Sequence, residues 1–450
     1  MRTFLSRIHA RLGDLWWYTI LLFVAQRFGD VINMFVGLWL VPKYVPQQEL
    51  GAVLPLTQCV GFIGIPLALL TTPFSKFLLD YGARGEYGKI KSLLRDVFVG
   101  TGLLAILTFV LAYVLLPFVF ERMRVPAGSL GVLIVAVSIV SAVSTVFGSA
   151  VQGLKLYSAT VWFNVLAAPL RLILMIVFMP FRPLSGYFVG QGAAPGTSII
   201  GAFWVLRKHL GRGVKAVPYL REDWRPMLRY AVPFLLLTFF TNLFGSVDML
   251  VIRHRLSDLE SAGYYMITRF TDISSYIGSA FVVFLFPMVA GLKADSADGR
   301  RTLLHSILGT IVSGLLVAVL LALFGEWLMG LSEAWRPYRS MAVYMPAVCS
   351  QNVLTLCCCC CISYETAQGR FGFLKWYLPI AGIKLAFLYA ATGFGFFANV
   401  LTPVVYDAIA AFDPCRLSFV LTVFIVGQAI IAGCFWNGCL KMPRRRAVRS

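Results

Sequence analysis

Arginine and aspartate recur three residues apart inside apolar stretches of this chain. Arg27 precedes Asp30 in VAQRFGDVINMFVG, and Arg269 precedes Asp272 in MITRFTDISS. On a helix, residues i and i+3 share a face, so each pair can meet. Two further cations lie deep in apolar runs, Arg171 in APLRLIL and Lys384 in AGIKLAF, with no acid within four residues. Asp248 sits late in another apolar run, with Arg253 just beyond it. An Arg or Lys at the centre of a bilayer costs about 2.5–3.5 kcal/mol on insertion scales, so Arg27, Arg171, Arg269 and Lys384 together cost about 10 kcal/mol or more. They should therefore face water or a partner. Two chemistries are open. The pairs can be internal ion pairs that only ease insertion. Alternatively, the cations bind an anion, for which guanidinium offers paired donors, while Asp30, Asp248 and Asp272 hold them or couple ions. Arg171 and Lys384 favour the second, because nothing near them in sequence neutralises them.

The elements that must position these residues are membrane spans. The chain has 450 residues, 59% hydrophobic and only 13% charged, about half the charged share of a soluble domain. A helix needs about 20 apolar residues to cross a bilayer, and about twelve stretches qualify. They are 15–41, 51–73, 96–120, 128–150, 157–180, 184–206, 230–252, 262–290, 303–330, 340–362, 372–398 and 415–438. With the N-terminus inside, about twenty-five Lys and Arg fall on the cytoplasmic side and about nine outside, which favours an N-in, C-in topology. The net charge of +19 is explained by that asymmetry, and no nucleic-acid partner is expected. The fold class expected is all-α and polytopic, with two pseudo-symmetric six-helix lobes. Residues 1–14 read as a cytoplasmic interfacial segment, 15–208 as the N-terminal lobe and 209–228 as a basic linker. Residues 229–440 read as the C-terminal lobe and 441–450 as a basic tail. FGDVINMFV (28–36) parallels FGSVDMLVI (244–252), and ELGAV (49–53) parallels SAGYY (261–265). Six spans per half return the chain to the same side, so the repeats are parallel.

Other patterns carry less. Cys357 to Cys361 run consecutively, so on a helix they point in different directions and read as small apolar filler rather than a metal site. GEYGKIKS (85–92) lacks the spacing of a phosphate loop, so ATP hydrolysis by this chain is not expected. GQGAAPG (190–196) reads as close helix packing or a kink. His9, His209, His254 and His305 lie in loops or at span ends. No connector is long enough to house a catalytic domain, so the chain is not expected to be an enzyme, and no cofactor is expected beyond a coupling ion, H+ or Na+.

The chain resembles the multidrug/oligosaccharidyl-lipid/polysaccharide exporter (MOP) superfamily, and within it the bacterial polysaccharide flippases. The resemblance rests on VPKYVPQQELGAV after the first span and on YAVPFLLLTFFTNLFGSVDMLVIRHRLSDLESAGYYMITRF, with Pro233, Asp248 and Gly263-Tyr264 in family order. It implies two helical lobes around a central cavity and alternating access driven by an ion gradient. It also implies a cargo of oligosaccharide on polyprenyl pyrophosphate, moved from the inner to the outer leaflet of the inner membrane. On that reading Arg27, Arg171, Arg269 and Lys384 bind pyrophosphate or acidic sugar, with Arg253 at the outer mouth. Asp30, Asp248 and Asp272 couple ions. Partners would be the lipid-linked glycan, the bilayer, and a polysaccharide polymerase or glycosyltransferases. The rival is a drug or metabolite/cation antiporter of the same fold.

Overall fold

The computed structural model describes residues 21–68, 74, 77–78, 81–82, 84–125, 128–154, 156–210, 217, 224–290, 297–368, 370–375, 377–380, 382 and 425–434. Every regular element among them is helical. In chain order these are α1 (Leu21–Tyr44), a single helical turn (Gln47–Leu50), α2 (Val53–Ala68), α3 (Tyr87–Arg122), α4 (Gly128–Gly153), α5 (Tyr157–Phe178) and α6 (Pro183–Leu210). There follow α7 (Trp224–Arg255), α8 (Asp258–Ala290), α9 (Ala297–Gly330), a 3-10 helix (Arg336–Tyr344) and α10 (Met345–Ala367), then α11 (Ile425–Cys434). The first ten expected spans each fall on a described helix. The eleventh, 372–398, lies mostly outside the described residues, and the twelfth is described only over α11.

Among the described residues seven helices are long and apolar enough to cross a membrane. The protein is thus an all-α, multi-pass membrane protein. Its side-chain distribution is the one lipid selects. On α3, Val99, Leu103, Ile106, Val110, Val114 and Phe118 are exposed, while Thr101, Ala105, Thr108 and Ala112 are buried. On α9, Leu308, Leu315, Val319, Leu323 and Trp327 are exposed, while Ser306, Thr310 and Ala318 are buried. Lipid tails are as apolar as leucine, so large side chains gain nothing by turning inward and small ones let helices approach.

α1 is interrupted by a π turn at Val36–Leu40, where the Val41 N–H donates to the Val36 carbonyl five residues back. Pro42 follows, has no N–H and cannot satisfy the Leu38 carbonyl. The widened turn is one way a helix absorbs such a residue.

The chain forms two compact units. Unit 1 comprises Met1–Glu49 and Val53–Asn242, and unit 2 comprises Leu50–Ala52 and Leu243–Ser450. In unit 1 the pairs α5–α6, α4–α6 and α2–α4 pack most extensively. Glycines make this possible. A Cβ on Gly190 would stand 3.1 Å from the Arg171 carbonyl and overlap Met175, one on Gly192 would press on Val137, and one on Gly201 would overlap Phe163. The close-packing reading of GQGAAPG therefore holds for Gly190 and Gly192. At the other end of the bundle Phe74, Leu78, Ile90, Leu94, Val146 and Ala202 form a buried apolar core, with Phe98 stacked on Phe147 at 4.3 Å.

In unit 2, α8, α9 and α10 pack mutually. Gly278, Gly309 and Gly314 receive Leu356, Phe281 and Val353. Cys357, Cys358, Cys360 and Cys361 are buried and carry no disulfide. Cys360 lies 3.9 Å from Thr310, so it serves as helix-packing filler. Ser261 donates to the Gly51 carbonyl at 3.3 Å, a backbone approach that a Cβ on Gly51 would block.

Candidate functional site

The two Arg-Phe-x-Asp sequences build the same small structure. On α1, Arg27 Nη1 meets Asp30 Oδ2 at 3.1 Å, and the guanidinium lies over the Phe23 ring at 4.9 Å. On α8, Arg269 Nη1 meets Asp272 Oδ2 at 2.9 Å, and the guanidinium lies over Tyr265 at 5.2 Å. Each arginine is held by an acid three residues on and an aromatic face four residues back, all on one helix stripe. Neither is sealed in, since the side chains of Arg27 and Arg269 are 22% and 20% exposed. The sequence reading found the acids and missed the rings, although Phe23 and Tyr265 stand at the i−4 position that would have marked them.

Arg171 lies on α5, where Arg171 Nη1 reaches Gln191 Oε1 of α6 at 3.5 Å. Gln191 Nε2 in turn donates to the Tyr187 hydroxyl at 2.8 Å. That hydroxyl lies 3.5 Å from Thr57 Oγ1 on α2. A hydrogen-bonded chain therefore crosses α5, α6 and α2 inside unit 1. α1 also packs against α5. A Cβ on Gly29, between Arg27 and Asp30, would lie 4.0 Å from the Cβ of Ala168, one turn before Arg171. Unit 1 thus links Arg171, Gln191, Tyr187 and Thr57 in one polar cluster, while Phe23, Arg27 and Asp30 lie about 100° or more round α1 from the Gly29 contact. Such a cluster offers guanidinium donors for an anion, together with neutral donors and acceptors of the kind sugar hydroxyls use. Gln191, Tyr187 and Thr57 were not singled out in the sequence. Their signal is weak, three neutral polar residues scattered through apolar spans.

In unit 2, Arg269 and Asp272 are flanked by the buried hydroxyls of Thr268, Thr271 and Ser274. Asn352 Nδ2 of α10 approaches the Thr271 carbonyl and hydroxyl at 3.4 and 3.5 Å. Arg253 is not an open-mouth residue. Its side chain is 2% exposed and pairs with Asp258 at 2.8 Å. Beside it Ser257 and Glu260 form a capping box: Glu260 Oε2 accepts from the Ser257 hydroxyl at 2.7 Å and from its N–H at 3.1 Å. Arg253 therefore belongs to the α7–α8 turn, where a buried cation is balanced by an acid in the first turn of α8. The Asp248 backbone is in α7, and its side chain lies outside the described residues, as does Lys384. Among the described residues no group of three or more His, Cys, Asp or Glu could hold a metal.

A profile for polysaccharide biosynthesis proteins matches residues 76–293, just under half of the chain. No curated protein matches the chain in sequence. Solved structures match its fold along nearly the whole length. An inward-facing multidrug resistance MATE family transporter of the MOP superfamily has a TM-score of 0.62 at 13% identity, covering 92% of this chain and 96% of that one. A Vibrio cholerae MATE transporter, solved as a point mutant, has a TM-score of 0.60 at 16% identity over 95% and 98%. A MOP superfamily transporter from Pyrococcus furiosus has a TM-score of 0.56 at 15% identity over 96% and 97%, and its binding pocket of reverse polarity suggests a different function for it. The chain therefore has the fold of these transporters, and the match to polysaccharide biosynthesis proteins over residues 76–293 agrees with the resemblance read from the sequence.

Proposed function

We propose that this membrane protein is a flippase for a polyprenyl-pyrophosphate-linked oligosaccharide. It carries that lipid from the inner to the outer leaflet of the bacterial inner membrane during surface polysaccharide synthesis. The observation that carries the reading is the polar cluster of unit 1, in which Arg171 is linked through Gln191 and Tyr187 to Thr57, together with the Arg27–Asp30 pair on α1 of the same unit. The guanidinium groups bind pyrophosphate through paired charge-assisted hydrogen bonds. Gln191, Tyr187 and Thr57 receive sugar hydroxyls. Arg269 and Lys384 are further anion-binding cations of the second half of the chain, and the polyprenyl tail stays in the bilayer. Arg253 drops out of the ligand set. Asp30, Asp248 and Asp272 compete with the cargo for the cations and take up H+ or Na+, which couples alternating access to an ion gradient. The match to polysaccharide biosynthesis proteins supports the cargo class. The reverse-polarity pocket of the Pyrococcus furiosus relative supports a fold whose cargo charge varies.

The test is Arg27→Ala and Arg171→Ala, made separately in the native host. Each should abolish surface glycan while the protein remains in the membrane. Normal glycan in both variants removes the binding role. A second reading, an antiporter for drugs or cationic metabolites, is favoured by the multidrug transporters among the structural neighbours. It expects raised drug resistance on overexpression and unchanged surface glycan in the two arginine variants.

A further inference from the structure

The α5–α6 seam has a second face, opposite the one just described. Phe163 of α5 is set against Gly201 of α6, and each residue advances a helix by about 100°. From that register Arg171 and Gln191 point to one side of the seam, and Trp162 and Trp204 point together to the other. Both indoles are exposed, at 63% and 69%. Leu166, Ile173 and Val177 continue this side along α5, and Ile200 continues it on α6, all exposed. It is a lipid-facing wall of unit 1.

The two tryptophans stand at nearly one depth. Trp162 is one residue and Trp204 three residues to the cytoplasmic side of the Phe163–Gly201 contact, a difference of about 3 Å at 1.5 Å per residue. Trp204 lies about 11 Å from the midpoint of α6, inside the edge of a hydrocarbon layer about 15 Å in half-thickness. Arg207 and Lys208, both exposed, come one turn later on the same side. They reach about 16 Å from the midpoint, the depth of lipid phosphates. An aromatic belt by itself requires no cation below it, and the topological bias in Lys and Arg requires no indole above. Here both occur in register on one seam, two aromatic walls over two cations.

We propose that this face is a binding site for an anionic phospholipid of the cytoplasmic leaflet. Its phosphate sits on Arg207 and Lys208, and its glycerol and upper acyl chain lie between Trp162 and Trp204. The argument for that occupant is charge complementarity at headgroup depth joined to an exposed apolar face at acyl depth. The site is independent of the cargo proposed above, because it lies on the far side of the helix pair.

The test uses the full chain in phosphatidylcholine nanodiscs containing a small fraction of brominated phosphatidylglycerol or, in parallel, brominated phosphatidylcholine. Tryptophan fluorescence quenching is the readout. Half-maximal quenching by the anionic lipid should come at a lower mole fraction, by about fivefold per cation engaged. Arg207→Gln combined with Lys208→Gln should abolish that preference, and these exposed positions leave helix packing intact. Trp162→Phe combined with Trp204→Phe should remove the preferential part of the signal. In the unaltered chain, raising the salt concentration should weaken the preference. Equal quenching by the two lipids overturns the proposal and leaves an ordinary interfacial belt. A preference that survives loss of both cations overturns it as well.

Discussion

Removing Arg27 alone leaves the half-buried Asp30 carboxylate without its cation, which costs stability, though less than the loss of a fully buried pair's partner. Arg27→Ala should therefore lower the thermal stability of the purified protein as well as its activity. Replacing both partners, Arg27→Leu with Asp30→Leu, removes both charges and should return stability to near the parent level. Surface glycan should stay absent in that double variant. Restored glycan would show that the pair only eases insertion. Tyr187→Phe is milder. It removes the hydroxyl that joins Gln191 to Thr57, costs about 1 kcal/mol, and should reduce glycan output while the melting temperature moves by only a few degrees. The Arg–Asp pairs are legible in the sequence, because helix geometry alone sets residues i and i+3 face to face. The Arg171–Gln191 link joins positions twenty apart on two helices, and no local pattern encodes which amide an arginine will meet.

Between helices, glycine decides how near the backbones come. Gly190→Val would drive a branched side chain into Met175 and the Arg171 carbonyl, and overpacking of this kind costs about 1–3 kcal/mol. Gly196→Ala, six residues on, meets nothing within 4 Å and should be silent. A thermal-shift comparison of the two variants checks the α5–α6 seam directly. Equal melting temperatures would contradict the contact. At the α7–α8 turn, Ser257→Ala removes a helix cap and should cost about 1 kcal/mol, read in the same assay. Helix positions are legible in the sequence because lipid enforces length and hydrophobicity on every span. The seams are not, since a glycine in a span has the same composition whether it faces a neighbour or lipid. The role of Arg253 was missed for a related reason. Its position suggests an open end, and only the fold reveals that Asp258 and the cap have closed over it.

For the whole molecule, the Lys and Arg bias makes a topological prediction. Ser340→Cys, in the exposed 3-10 helix, should react with a membrane-impermeant maleimide in intact cells. Arg84→Cys, in the exposed turn before α3, should react only after permeabilisation. The reverse pattern would invert the orientation and with it the proposed direction of transport. At this scale the fold is legible from the order of features along the chain, even though identity to the solved structures that share it is only 13–16%. The proposed cargo is less legible, because a guanidinium suits any phosphate and the neutral groups that would meet a sugar leave little trace in composition.

The wide turn in α1 amounts to one surplus residue lodged in an otherwise regular coil. Deleting any single position from Val36–Leu40 would let the helix close at its usual pitch with Lys43 and Tyr44 still in their present azimuth, whereas closing the turn with no residue lost would swing them by about 100°. Phe23, Arg27 and Asp30 would keep their azimuth. The surplus residue is thus taken up where it stands, so that a shortening confined to this turn would leave both ends of the rod, and the charges on it, facing as they do now.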